Sequence, residues 1–346
     1  MRLDSRRLTS QKPLDEWLSE QPDSCFPSPA GQRYPLRYKN VSDYLNDNVH
    51  RHVEKGALVK GDGFLTDHGP EHIKTVIKRA GELLGEPIAD FPQFSAYEVY
   101  LLLMAAHFHD VGNIYGREEH EKKTAPIMTE LGKLAGPETV ERQAIRKIAS
   151  AHGGSVEGDK DTIDRLPRID ALLSFDVRHQ AIAAILRFAD ELADDSNRGA
   201  RVLAALGMLS TKSEIYHAYS KSLQSVQVKS ENGLVDLRFF LLKGDATRKF
   251  GKGRRKLYLL DEIYERTLKM HFERQYCMRF MRDFARIDAI DVRIEVFADE
   301  NSMSPCIDPI GYRLAERGYP TSKDAKISEL CPDVRMDGRK LEMRLK

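Results

Sequence analysis

His109 and Asp110 stand side by side at the end of an apolar run that begins at Val99. A helix end built from such a run is buried, and an unpaired buried carboxylate costs several kcal/mol or more unless a proton, a cation or a metal compensates it. His72, His120, His152 and Asp190 are further residues of the same two types, spread along the chain. Imidazole nitrogens combined with carboxylate oxygens suit a divalent transition ion (Mn, Fe, Co, Ni or Zn) better than Mg. Such an ion, with positions left open, lowers the pKa of a bound water and supplies a nucleophile near neutral pH. These residues therefore mark a candidate metal-dependent hydrolase.

The elements that must bring them together are readable from periodicity. Ile73, Val76, Ile77, Ala80, Leu83 and Leu84 recur at three- and four-residue spacing, which predicts an amphipathic helix over 70–85 with Pro70 in its first turn. His72 lies one turn from Val76 and so points inward. Residues 97–109 are apolar nearly all round, the mark of a central helix. A loop follows at 110–116, then a helix opened by His120 and interrupted near Pro126. A further helix over 140–151 ends in His152 with Gly153 as its cap. The helix expected over 176–194 carries Ala183, Leu186, Asp190 and Ala193 on one face, so Asp190 is a carboxylate on an apolar stripe.

Around this core the chain is less regular. Residues 1–40 are polar and Pro/Ser-rich and read as an irregular arm, with Leu14, Trp17, Phe26, Tyr34 and Leu36 available to dock it; a short helix is expected from Ser42 to about Lys55. After residue 212, Val226 and Val228 then Leu234 and Leu237 flank Glu231-Asn232-Gly233, a hairpin signal. A long helix over 257–287 and an alternating strand over 292–296 follow. The expected organisation is an arm (1–40), an all-α bundle (41–212) and a smaller α+β module (213–346), mainly α as a whole.

Composition narrows the class. Lys and Arg number 54 against 53 Asp and Glu, which argues against a surface built wholly for nucleic acid but leaves room for a local basic patch. The four cysteines, at 25, 277, 306 and 331, form no C-x-x-C pair and fit free thiols in a reducing compartment. No signal peptide is read at the start, and the longest apolar run falls far short of the roughly 20 residues of a membrane span. The expectation is a cytoplasmic protein with no membrane partner.

The segments HIKTV at 72–76, HFHDVGN at 107–113, AHGG at 151–154 and LRFADELADD at 186–195 resemble the HD-domain metal-dependent phosphohydrolase superfamily, over residues 66 to about 198. The resemblance implies a helical bundle in which His72, His109, Asp110 and Asp190 hold a first metal. Asp110 would bridge to a second ion held by His120 and His152. It further implies hydrolysis, by metal-activated water, of a phosphoester or phosphoanhydride in a nucleotide or a single-stranded nucleic acid. Asp110 and His109 would be the residues at the reacting centre. Asn113 stands where the cyclic-dinucleotide phosphodiesterase branch has a lysine, and no Glu-Asp pair of the alarmone-hydrolase kind follows Asp110, so neither subfamily is indicated.

Other readings stay open at this point. His152 could serve only the dipole of its helix, and His120 could be a solvated charge. Arg117, Lys122 and Lys123 could meet substrate phosphates or form a charged helix start; Asp194 and Arg198 could support the site or pair on the surface. Arg248–Lys256 holds six basic residues in nine on an expected loop, which could bind a nucleic-acid backbone or simply be solvated. A non-catalytic signalling or scaffold module and a di-iron oxygenase are the readings from other classes. The C-terminal module could sense a ligand, cover the site or form a homo-oligomer.

Overall fold

The computed structural model describes residues 12–28, 33–56, 69–85, 93–115, 123–153, 158–193, 213–316 and 325–345. These fall into two compact units. The first holds the described residues up to 56, from 69 to 193 and from 277 to 286; the second holds those from 213 to 276 and from 287 to 345.

The first unit is helical: α1 (Leu14–Ser19), α2 (Tyr34–Leu45), α3 (Arg51–Gly56), α4 (Pro70–Leu84), α5 (Ala96–Phe108), α6 (Thr124–Leu131), α7 (Thr139–Ser150) and α8 (His179–Glu191). A π-helical turn, Asn46–His50, joins α2 to α3, and a 3-10 turn, Val111–Tyr115, follows α5. Every residue of α5 is buried, as its all-round apolarity requires, and α1, α2, α4, α7 and α8 pack around it. Its N-terminus is set by a capping box in which Ser95 and Glu98 satisfy each other's backbone N–H groups.

Glu98 also accepts from the backbone N–H and the guanidinium of Arg178, the residue before α8. The starts of α5 and α8 are thereby tied together, and both helices carry candidate ligands at their far ends. Ser95→Ala is expected to lower stability by about 1 kcal/mol, the usual worth of an N-cap, as read from a chemical or thermal denaturation midpoint.

Several expectations need correction. The Pro/Ser-rich stretch 1–40 suggests an irregular arm, yet residues 14–19 and 34–45 are helical. Both helices start at prolines, Pro13 before α1 and Pro35 in the first turn of α2, where a missing N–H does no harm. Leu14, Trp17, Phe26 and Tyr34 are buried as docking residues, whereas Leu36 is exposed. Helix α6 begins at Thr124, with Pro126 inside its first turn rather than interrupting it. The helix expected from 176 starts at His179, because Phe175–Val177 (β2) pairs antiparallel with Asp170–Leu172 (β1). That hairpin turns through Leu173 and Ser174, both at positive φ, so it lacks the Asn-Gly signal that would have announced it.

The second unit is built on a four-stranded sheet in the order β3 (Leu223–Lys229), β4 (Leu234–Leu242), β7 (Ala289–Phe297), β8 (Ile310–Ala315). β3–β4 is the hairpin expected around Gly233, which takes a left-handed conformation. β4 and β7 run parallel, so they need a crossover, and the helix Leu259–Met281 lies within it. On the buried face Val235, Leu237, Phe239 and Leu241 of β4 accompany Ile290, Val292, Ile294 and Val296 of β7. The remaining elements are helices α9 (Glu214–Ser222) and α10 (Lys243–Ala246), strands β5 (Lys249–Lys252) and β6 (Arg255–Tyr258), the crossover helix α11, and helices α12 (Ile327–Leu330) and α13 (Gly338–Leu345). The basic run 248–256, expected as a loop, is thus a β-hairpin closed at Gly253-Arg254, with Gly253 at positive φ. The fold is mainly α with a smaller α+β portion. Among the described residues no helix is long and apolar enough to cross a membrane.

Candidate metal centre

Four helices of the first unit deliver the candidate ligands. His72 comes from the first turn of α4 and is buried. His109 caps the C-terminus of α5 and Asp110 follows it; both are buried. His152 follows the end of α7 and is buried; Asp190, half-buried, lies in the last turn of α8.

Two of the histidines are oriented by the same device. The last carbonyls of a helix have no partner within it. His109 Nδ1 lies 2.7 Å from the Ala106 carbonyl oxygen, and His152 Nδ1 lies 2.6 Å from that of Ala149. A carbonyl can only accept, so Nδ1 carries the hydrogen in each ring and Nε2 is the atom turned to the centre. A backbone partner that fixes the tautomer in this way is what a ligating histidine requires. His152 thus has the helix-terminal position of the bland reading and also faces the cluster.

The donor atoms converge. His72 Nε2 is 3.2 Å from Asp190 Oδ1 and 3.6 Å from Asp110 Oδ2. His109 Nε2 is 3.3 Å from Asp110 Oδ2 and 3.7 Å from Asp190 Oδ1. His152 Nε2 approaches the other oxygen of Asp110, Oδ1, at 3.8 Å, and its ring stands edge-on to His109 at 4.8 Å. One ligand atom each from His72, His109 and Asp110 lie within 4.8 Å of one another. Asp110 therefore offers Oδ2 to the His72/His109 side and Oδ1 to the His152 side. Asp190 is the most exposed of the five described ligands, its side chain 28 % exposed against 5 % or less for the other four.

The helices are locked in this arrangement. Arg79 of α4 donates from Nε to the Leu192 carbonyl at the end of α8. Thr162 Oγ1 donates to the Ala151 carbonyl beside His152, and Arg187 of α8 donates to Thr162 Oγ1 at 3.1 Å. Glu141 of α7 is fully buried with Arg37 of α2 at 3.0 Å and accepts from the hydroxyls of Tyr34 and Tyr97.

The residues fit a cation. His109 Nε2 is buried and makes no hydrogen bond, and nitrogen and carboxylate oxygen donors face one point. Burial alone would lower the pKa of His109, but Asp110 and then Asp190 outweigh it and hold it well above the ordinary histidine value. Burial alone would raise Asp190, but His109 and His72 hold it well below the ordinary carboxylate range. Without an ion, then, the cluster keeps a proton that an ion must displace. His109, with its raised pKa, adds stability that is complete below the ordinary histidine pKa and lost as pH rises through its folded value. Asp190, with its lowered pKa, adds stability present above the ordinary aspartate pKa and lost as pH falls through its folded value. The apparent affinity for a divalent ion is accordingly expected to rise with pH across the neutral range, with protons released on binding. Calorimetry in buffers of different ionisation heat checks this; a pH-independent affinity with no proton release would contradict it.

Behind the ligands stand His107, near them in sequence but off the family pattern and so expected in a packing or supporting role, and His50, expected only to pack. His107 is buried, with Nδ1 3.4 Å from His50 Nε2 and Nε2 3.4 Å from the Tyr38 hydroxyl. Burial, with His109 nearby, brings His107 down to about 3, and burial with His107 holds His50 well below its usual value. Both are neutral at pH 7 and add no positive charge next to a cation. Asn113, in the 3-10 turn after Asp110, is buried, with neither side-chain atom hydrogen-bonded among the described residues. Lys123 lies just before α6 and is half-buried. His120, Arg117, Lys122, Asp194 and Arg198 lie outside the described residues.

No curated protein and no solved structure gave a match. The HD-CE family matches residues 62–269, more than half of the chain and a span that includes all six candidate ligands. Gly318-Tyr319-Pro320, a run that the cyclic-dinucleotide phosphodiesterase branch also carries downstream of its His-Asp, lies beyond that span and outside the described residues, so only Asn113 argues against that branch. With the HD-type ligand order set on four helices and the family matched over most of its length, this chain belongs to the HD-CE family and carries an HD-type domain, the kind found in metal-dependent hydrolases.

Proposed function

We propose that this chain hydrolyses a phosphoester or phosphoanhydride bond of a nucleotide or nucleic acid, with water activated at a divalent-metal centre. The observation that carries the proposal is the convergence of His72, His109, Asp110 and Asp190 around a buried His109 Nε2 that makes no hydrogen bond. These four residues would hold a first ion. Asp110 Oδ1 and His152, with His120, would hold a second. A bound divalent ion supplies Lewis acidity, lowering the pKa of a water and drawing charge from a phosphoryl oxygen.

The chain's own residues supply the rest. The carbonyls of Ala106 and Ala149 keep the His109 and His152 rings turned inward, so the donors need not reorganise when charge develops. The neutral His50–His107 pair keeps water out behind the ligands without adding charge. Asp190, the partly exposed member, would meet incoming water and substrate. The amide of Asn113, unpartnered among the described residues, would donate to a substrate oxygen. Lys123, with Arg117 and Lys122, would offset phosphate charge before α6.

A panel of nucleoside triphosphates, monophosphates, cyclic nucleotides and single-stranded DNA and RNA, run with Mn, Fe, Co, Ni, Zn or Mg, tests this reading. Turnover of one class that chelation abolishes supports it. A metal-loaded protein that turns over no member and consumes O2 would instead indicate the oxygenase reading; one that binds no metal would indicate a scaffold.

A further inference from the structure

The six basic residues between Arg248 and Lys256 are sorted by the β5–β6 hairpin into two groups. Arg248 pairs with Asp245 at 3.2 Å and lies over the Phe250 ring, and Lys252 is held by Glu262 and Glu265 at 2.7 and 2.6 Å. These two are used inside the fold. Lys249, Arg254, Arg255 and Lys256 are all exposed and form no ion pair among the described residues. The register pairs Lys249 with Tyr258 and Gly251 with Lys256, so Lys249 and Lys256 are diagonal neighbours on one face of the ribbon; Arg254 lies in the turn, and Arg255, opposite Lys252, falls on the other face.

Helix α13 completes a concave site on that face. Its first residue is glycine for a steric reason: a Cβ at Gly338 would lie 2.2 Å from the Cβ of Tyr258. The Gly338 N–H donates to Asp261 Oδ1 at 2.9 Å, and the Tyr258 hydroxyl donates to Glu342 at 2.5 Å. The helix is thereby pinned beside the hairpin, and Arg339 comes to the same cleft, of about 440 Å3, as Lys249 and Lys256. The two carboxylates of the cleft, Asp261 and Glu342, are engaged by those internal hydrogen bonds; Lys249 lies over the Tyr258 ring at 4.9 Å, and none of the three cations forms an ion pair among the described residues.

We infer that the cleft between the β5–β6 hairpin and α13 binds the phosphate backbone of a single-stranded nucleic acid. Lys249, Lys256 and Arg339 in one cleft, with Arg254 at the adjoining turn, fit a ligand that repeats its charge along a strand. The concavity favours a single strand, whose backbone can enter the cleft, over a duplex, which would span it. The near-zero net charge of the whole chain makes this patch a local feature rather than the edge of a general basic surface. The assignment concerns binding alone, goes beyond the metal-centre reading and stands or falls without it.

Fluorescence anisotropy with labelled oligonucleotides, in excess chelator so that nothing is cut, tests it. Full-length protein is expected to bind single-stranded DNA or RNA with log K falling linearly in log salt, by about 0.7 per phosphate contacted. Lys249→Gln/Lys256→Gln/Arg339→Gln is expected to weaken binding about tenfold or more and to flatten that slope by roughly 2. Lys39→Gln/Lys74→Gln, on exposed lysines of the first unit, is expected to leave both unchanged. A circular-dichroism melt checks that each variant is folded, and Arg254→Gln/Arg255→Gln at the hairpin tip gives an independent second variant. Equal binding by wild type and both basic-cluster variants, or no binding at low salt, would overturn the assignment. So would tighter binding of duplex, or equal binding of poly-glutamate, which would point to an acidic protein partner. Hydrolysis failing while this binding holds would count against the metal-centre reading only.

Discussion

Replacing Asp110 by Asn is expected to reduce metal-dependent hydrolysis about a thousandfold while leaving the helical circular-dichroism spectrum unchanged. Among the described ligands, Asp110 turns its two oxygens to different histidines, Oδ2 toward His72 and His109 and Oδ1 toward His152. Asn keeps the shape but loses the charge, so the centre holds less negative charge against a divalent ion and presents an amide N–H2 to one side. An ion's stabilisation of transition-state charge is worth several kcal/mol, and each 1.4 kcal/mol or so is a factor of ten in rate, which sets the expected scale. Elemental analysis after dialysis should show metal content falling together with activity. Lys123→Ala, which removes only an accessory charge, is expected to lower activity no more than about tenfold. Wild-type turnover and full metal content in Asp110→Asn would remove Asp110 from the centre.

Glu141→Ala is expected to be the most damaging single change to stability outside the ligands, at about 3–5 kcal/mol. It removes the carboxylate facing the Arg37 guanidinium, which is 2 % exposed, and leaves the Tyr34 and Tyr97 hydroxyls without their acceptor. Those contacts join α2, α5 and α7, and α5 and α7 end in His109 and His152, so metal affinity should fall along with the melting temperature. Burial pushes the Glu141 carboxyl up despite Tyr97, Arg37 and Tyr34, so its own desolvation is not fully offset. Arg37→Met/Glu141→Leu is therefore expected to recover most of the loss, because it removes both buried charges together. A single variant within 1 kcal/mol or so of wild type, or a double variant worse than the single, would contradict this.

The parts of the first unit that carry the ligands were legible because burial leaves a periodic trace. Ile73 to Leu84 marks α4, the run from Val99 marks α5, and Asp190 stands out on α8 because a carboxylate on an apolar stripe conflicts with its surroundings. The β3–β4 hairpin was legible from Glu231-Asn232-Gly233, since a turn at positive φ favours glycine. The misreadings have physical causes as well. Prolines at helix starts, as at Pro13 and Pro35, look like loop composition unless the chain on either side is known to pack. In β5–β6 the charges on both faces mask the alternation, and only Phe250 is a deeply buried apolar side chain there. The layer of Tyr38, His50 and His107 behind the site depends on contacts between residues 57 and 69 positions apart, which no local pattern encodes.

The decisive measurement is a titration of metal-free wild-type protein with a divalent ion, following phosphate-bond cleavage of the best substrate class against the number of ions bound. Turnover that is absent without metal and rises with occupancy of the centre, up to one or two ions per chain, is the expected result. Cleavage by rigorously metal-free protein, or a fully loaded protein that cleaves no phosphoester or phosphoanhydride, would contradict a hydrolytic metal centre built on His72, His109, Asp110 and Asp190.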